Sequence, residues 1–225
     1  MMNKWIDLSM PISTDHVRWK SAVEKKGSFD EGDLFEATQL QVSCHAFTHM
    51  DALSHIKKGA YNILDIPIET YIGEFHVLDL AAVITDNFAI TPEVLESIWP
   101  QAENVKKVIF KTCWDTHYSY NSREFWGNSP YITFESAAYL AEKNLEIIAF
   151  DFPQDYPIRG WLTDTMDKPL TKHVTHHHLL MKGVTLVEYL CNTKRITSPV
   201  IDALMIPIAI KNTDGAPCRV LIKNK

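Results

Sequence analysis

The stretch CHAFTHMDALSH, residues Cys44 to His55, sets three histidines and an aspartate at offsets of 0, 4, 6 and 10 from His45 inside an otherwise apolar run. Side chains of these types bind divalent cations, and ligands must converge on a point, so the spacing restricts the backbone. A helix at about 100° per residue would set His49 and Asp51 about 200° apart, whereas an extended chain keeps i and i+2 on one face. His49 and Asp51 are therefore expected on extended chain. Just upstream, QLQVSCH alternates Leu40, Val42 and Cys44 with Gln39, Gln41, Ser43 and His45, which predicts a half-buried strand with His45 on its polar face. A straight strand would hold His45 and His49 roughly 13 Å apart, so the chain must bend around Phe47 and Thr48 if both are to reach one ion. His55 needs a further turn after Asp51. Taken singly, such histidines are ordinary surface or core residues. Together, and with Cys44 as the one thiol among them, they suit an open catalytic site for zinc, manganese or iron better than a closed structural one.

A second segment, KHVTHHHLLMKGVTLVEYL, places His173, His176 and His177 on one face of a helix, a pattern that by itself describes a solvated surface. Glu188 is more demanding. It sits inside the apolar strand VTLVEYL, and a buried carboxylate costs several kcal/mol unless a cation or hydrogen-bond donors meet it. A metal, an arginine or a lysine would each serve.

The frame around these segments reads as mixed α and β. Apolar runs at FHVLDLAAVI from Phe75, VKKVIFKT from Val105, LEIIAFD from Leu145 and VTLVEYL from Val184 predict buried strands. Thr91 followed by Pro92, and Thr133 before FESAAYLAEKN with Asn144 as the stop, predict two helices, and a third is expected from about Pro169 to Lys182, closed by Gly183. The end, LMIPIAIKNTDGAPCRVLIK, reads as a hairpin around Asn212, Asp214, Gly215 and Pro217. Residues 114–130, polar and aromatic, form a long loop expected to line a site. The 225 residues show no repeat or linker and are expected to form one domain spanning 1–225. A formal charge of −6 offers no basic footprint for nucleic acid. The opening MMNKWIDLSM lacks the pattern of a secretory leader and no window approaches a membrane span, so a cytoplasmic protein is expected. Four scattered cysteines without a CxxC pair predict reduced, mostly buried thiols.

These residues resemble the cyclase-like family of metal-dependent hydrolases, which includes bacterial kynurenine formamidase and isatin hydrolase. The family motif His-x-Gly-Thr-His-x-Asp-x-Pro-x-His is matched by His45-Ala-Phe-Thr-His49-Met-Asp51-Ala-Leu-Ser-His55, and a second motif by His176, Leu179, Leu180 and Glu188. Further matches run from IDLSMPI through YIGEFHVLDL, VIFKT and IAFDFPQD to IPIAIKNTDGAPCRVLI, nearly the whole chain. The resemblance implies a swivelling β/β/α fold, an α/β domain with a mixed or barrel-like sheet and flanking helices. It implies His45, His49, Asp51, His176 and Glu188 as ligands for one or two divalent ions, Zn²⁺ or Mn²⁺, and His55 as the catalytic histidine. It also implies homodimers or homotetramers. Three positions depart from the pattern: Phe47 replaces the glycine, Leu53 the proline, and Gln154 stands where many members have serine.

The expected activity is hydrolysis of the C–N bond of an aryl formamide, with His55 moving the proton. Trp19, Phe47 and Trp161 are the candidate walls for an aromatic small-molecule substrate. Alternatives are the opening of a cyclic amide or lactone, a metal- or ligand-binding protein without catalysis, and a hydrolase using Cys44 or Cys113 as nucleophile.

Overall fold

Runs of apolar residues covered on both faces build parallel strands, and the middle of this chain supplies four. In the computed structural model, residues 4–165 and 169–225 are described; the first three residues, on which the leader expectation partly rests, lie outside them. The main sheet has β1 (Ile6–Asp7), β2 (His49–Asp51), β3 (Ile72–Asp79), β4 (Lys107–Lys111), β5 (Ile147–Ala149), β6 (Thr185–Glu188), β7 (Val200–Pro207) and β8 (Gly215–Asn224). Strands β3, β4, β5 and β6 are neighbours and parallel. The order β8-β7-β3-β4-β5-β6-β2 closes because β2 also pairs with β8, giving a seven-stranded barrel, with β1 added on β8. The terminal hairpin forms, with Pro207 opposite Cys218 in an antiparallel pair, but Gly215 and Pro217, expected in its turn, lie in β8 opposite Asp51 and His49.

Side chains alternate between two cores. Met50, Val77, Ile109, Ala149 and Val187 belong to a cluster shared by the strands, the barrel interior. Leu78, Phe110, Ile148 and Leu186 belong to the other, which the helices cover. Those helices are α1 (Pro92–Ile98), α2 (Arg123–Gly127), α3 (Phe134–Ala141) and α4 (Val174–His178). Thr133 caps α3 by accepting from the Ser136 amide, and Asn144 halts the chain at φ 53°.

Three expectations change. The strand through His45 ends early: Ala37–Gln41 pairs with Ala22–Gly27 in a hairpin that is exposed along its length. The Ser43 side chain accepts from the His45 amide and its carbonyl from Ala46, so a local turn takes the backbone out of extension. The helix over 169–182 is cut down to the five residues of α4 with single 3₁₀ turns on either side, because His173 has ψ 79° and Leu179 leaves the helix ahead of Gly183 at φ 89°. Residues 114–130 are no open loop: they contain α2, and Trp114, Phe125 and Trp126 are fully buried. Their aromatic content, read as a pocket wall, is core. Among the described residues no helix is long and apolar enough to cross a membrane.

Candidate metal centre

Period-2 alternation on two short strands assembles the site. Met50 points into the barrel, so His49 and Asp51 point to the helix-covered side, and the same parity sends Val187 inward and Glu188 outward. The register places Glu188 directly opposite His49 and Leu186 opposite Asp51. Ahead of β2, Phe47 has φ 58°, a left-handed conformation that costs a non-glycine residue roughly 1–2 kcal/mol. This bend turns the Phe47 carbonyl back to accept from His49 Nδ1 at 2.9 Å. The ring that replaces the family's glycine is wholly buried against His16 and Trp19. Across β8, a Cβ on Gly215 would lie 2.6 Å from both His45 Cε1 and the Met50 carbonyl, so glycine is required there for the His45 ring to lie over the strand.

The six residues of the two motifs converge. His45 Nδ1 is 2.8 Å from Asp51 Oδ1, and His49 Nε2 is 3.4 Å from the same oxygen and 3.7 Å from Glu188 Oε2. His176 Nε2 lies 3.4 Å from Asp51 Oδ2 and 3.6 Å from Glu188 Oε1. The His55 ring stacks on His45 with centres 3.9 Å apart. Ligand atoms of His49, Asp51 and Glu188 lie within 4.8 Å of one another, as do those of His45, Asp51 and His55, so Asp51 belongs to both groups. With Arg18, Ile158, His173 and Tyr189 these side chains line a cavity of about 150 Å³.

The donor set fits a divalent cation. His49 spends its Nδ1 on the Phe47 carbonyl, which in the neutral ring leaves the Nε2 lone pair facing two carboxylates. Asp51 Oδ2 is buried without a hydrogen-bond partner among the described residues. Lone pairs in this arrangement repel unless a positive charge lies among them. Burial works against a charged His45, but Asp51 and Asp214 outweigh it and hold the pKa up at about 9. For His176 burial is likewise overcome, by Asp155, Asp51 and Glu188, and the ring is held well above its ordinary value. Burial would raise Asp51, yet the facing imidazoles of His176, His45 and His49 keep it well below the usual carboxylate range. His55 differs: burial lowers it, so it is neutral at neutral pH and able to accept a proton.

The model of the Cyclase family, described as "Putative cyclase", matches residues 6–154, well over half of the chain. The chain belongs to the Cyclase family. A kynurenine formamidase of Bacillus thuringiensis subsp. konkukian is 26% identical over 98% of each chain. Isatin hydrolase A from Ralstonia solanacearum superposes with a TM-score of 0.78 at 17% identity, over 99% of this chain and 92% of that one. Isatin hydrolase A from Labrenzia aggregata gives 0.75 at 20%, over 98% and 93%. At these identities the two structures establish a shared fold. The match to the family model ends at Gln154, so the meeting of His176 and Glu188 with the first motif is carried by the geometry of this cyclase-family chain itself.

The aromatic candidates sit otherwise. Neither Trp19, Phe47 nor Trp161 lines the cavity; Trp19 packs on Phe47 at 4.9 Å and on Tyr189 at 5.4 Å, and Trp161 is on the 3₁₀ segment Tyr156–Thr163 that brings Ile158 to the wall. His173 joins His176 at the cavity, whereas His177 does not. Three residues were assigned no such place from the sequence. Asp155 is fully buried and lies 2.7 Å from His176 Nδ1, fixing which nitrogen faces Asp51. Asp214, read as a turn former, reaches His45 Nε2 at 2.9 Å and His55 Nδ1 at 3.3 Å. Gln154 donates from Nε2 to Glu188 Oε1. The signal for Asp155 was available: a second acid in the apolar FDFPQD raises the same question as Glu188.

Proposed function

We propose that this cyclase-family protein is a metal-dependent amidohydrolase that cleaves the C–N bond of an aryl formamide, adding water to release formate and an aryl amine. The observation that carries the reading is the shared Asp51, whose two oxygens face His45 and His49 on one side and His176 on the other, with Glu188 across β2. His45, His49, Asp51, His176 and Glu188 would hold one or two divalent ions, zinc by preference for imidazole and carboxylate, with manganese as the alternative. The bound ion would acidify a water and polarise the carbonyl under attack. The rest is done by the chain. Asp214 holds His55 Nδ1, leaving Nε2 to take a proton and pass it to the departing nitrogen. Asp155 keeps the His176 ring in one orientation, and Gln154 holds one oxygen of Glu188. Kynurenine formamidase among the relatives supports the substrate class, and the isatin hydrolase fold supports cyclic amides as the competing class.

A homodimer or homotetramer belongs to the same proposal. Its support is the exposed hairpin 22–41, which carries Leu34 and Phe35 at 83% and 75% exposure and, among the described residues, pairs with no strand of the barrel. Light scattering on the purified protein reads the assembly. The function is tested by supplying chelated protein with Zn²⁺ or Mn²⁺ and assaying N-formylkynurenine, formanilide and isatin. Metal-restored cleavage of the formamides supports the proposal; cleavage of isatin alone, or turnover that survives chelation, refutes it.

A further inference from the structure

One basic side chain at the cavity, Arg18, keeps a guanidinium nitrogen without a hydrogen-bond partner among the described residues. The Arg18 guanidinium carbon lies 4.5 Å from the centre of the Trp126 ring, 5.2 Å from Trp19 and 5.5 Å from Tyr189. Trp19 and Trp126 meet edge to face at 5.0 Å, and Tyr189 packs on both, at 5.4 and 5.1 Å, so the three rings form a fixed seat. Arg18 shares the cavity wall with His49, Asp51 and Glu188. Its Nη1 is buried and has no hydrogen-bond partner among the described residues.

The carboxylates nearby are engaged elsewhere. Asp51 is taken by three imidazoles, Glu188 by Gln154, Asp155 by Thr175 and His176, and Asp214 by His45 and His55. Among the described residues none of them forms an ion pair with Arg18. Aromatic faces hold the plane of a guanidinium but supply no acceptor in that plane, and a buried N–H left unmet is costly. A planar pair of donors presented edge-on matches a carboxylate.

We propose that Arg18 receives a carboxylate carried by the substrate away from the bond that is cut, and so gives this protein a preference for anionic aryl amides. The inference rests on the hydrolase reading and adds the charge of the substrate to it. The Nη1 atom has no acceptor among the described residues, and the cavity that holds the candidate ligands is where a substrate must sit.

Metal-loaded wild type, Arg18→Met and Arg18→Lys are to be compared on 2-formamidobenzoate and on its uncharged counterpart formanilide. Arg18→Met is expected to lower kcat/KM for the benzoate roughly 10- to 100-fold, mostly through KM, to change formanilide by less than about 3-fold, and Arg18→Lys to recover part of the loss. Retained formanilide turnover doubles as the control for folding. An equal loss on both substrates would assign Arg18 to the reacting carbonyl or to the fold, and no loss on either would leave it without a role; both outcomes overturn the proposal. Should wild type cleave neither compound, calorimetry decides Arg18 separately from the hydrolase reading. Wild type binding 2-aminobenzoate about 10-fold or more tighter than aniline, with the difference lost in Arg18→Met, supports the receptor. Binding that is the same in both proteins sinks it.

Discussion

Asp51 and Asp151 are equally withdrawn from solvent, at 1% and 0% exposure, yet their surroundings are opposite in kind. Asp151, just beyond β5, accepts from the Thr112 amide at 2.9 Å and hydroxyl at 2.8 Å, from the Cys113 amide at 2.9 Å, and from the Thr193 hydroxyl. Burial pushes its carboxyl up to about 6 in spite of the Thr193 and Thr112 bonds. Asp51 is met by three imidazoles, keeps one oxygen without a hydrogen-bond donor among the described residues, and is held well below the usual range. A buried acid answered by neutral amides and hydroxyls ties loops together. One answered by ring nitrogens that can exchange a proton for a metal is built for an ion.

Exchanging the two acids' fates gives the sharpest test. Asp51→Asn is expected to abolish stoichiometric metal binding and lower kcat/KM at least ~1,000-fold, because several kcal/mol of metal-derived stabilisation is lost. The variant should still fold, as judged by circular dichroism. If it keeps its metal content by elemental analysis, Asp51 is no ligand and the contrast fails. His55→Ala comes next, with turnover falling roughly 100-fold while metal content stays that of wild type. Its acid limb supplies the sign. His55 works neutral, so activity falls as pH drops through a pKa that burial sets below the ordinary 6.5, and that limb should vanish in the variant. Loss of metal from His55→Ala would move it among the ligands.

Metal uptake separates the two surroundings through protons. His45 is charged at pH 7, since its pKa stands at about 9, and His176 is held higher than its ordinary value as well. An ion must displace those protons, so Zn²⁺ titrated into chelated protein in weak buffer should acidify the solution, and affinity should fall as pH falls below about 9. Uptake without proton release would mean that the ion binds elsewhere.

The first motif was legible from residue types and parity: extension at His49 and Asp51, a bend at Phe47 and a turn before His55 all follow from the requirement that ligands converge, and the chain makes each of them. Four buried strands were legible because burial on both faces leaves a continuous apolar run; that they pair in parallel was not. Closure of the barrel was not, since pairing of β2 with both β6 and β8 is a matter of register between segments far apart in sequence. The same limit hid Asp214, whose carboxylate meets His55 across 159 positions, while its place beside Gly215 spelled a turn. His45 was placed on a strand by an alternation that continues past the Ser43 turn, because polar spacing does not reveal where a hydroxyl competes with the ladder.

Stability should tell the same two acids apart in the other direction. Asp151→Ala strands four donors and is expected to cost about 3 kcal/mol or more, while turnover per folded molecule stays near that of wild type. For Asp151→Asn the pH dependence is the finer measurement. An acid whose folded pKa is raised binds its proton more tightly in the native state, so its favourable contribution is complete below the ordinary 3.8 and is lost as pH rises toward about 6. The deficit of Asp151→Asn against wild type in urea unfolding should therefore be larger near pH 4 than near pH 7. A deficit that grows with pH would mean that the four hydrogen bonds, and not burial, decide the protonation of Asp151.

The smallest expected effect concerns the thiols near Asp151 and Asp214. Burial and then Asp151 raise Cys113, as burial and then Asp214 raise Cys44, and burial carries Cys191 to about 12. Reaction needs the thiolate, so at pH 8 iodoacetamide should label the native protein slowly and leave its turnover unchanged within the first hour, where chelation stops it. Rapid alkylation of Cys44 or Cys113 with parallel loss of activity would revive the thiol nucleophile, and the cation would then have no claim on the reaction. Slow labelling with activity intact fits thiols that burial keeps protonated first, with the neighbouring acids adding to the effect.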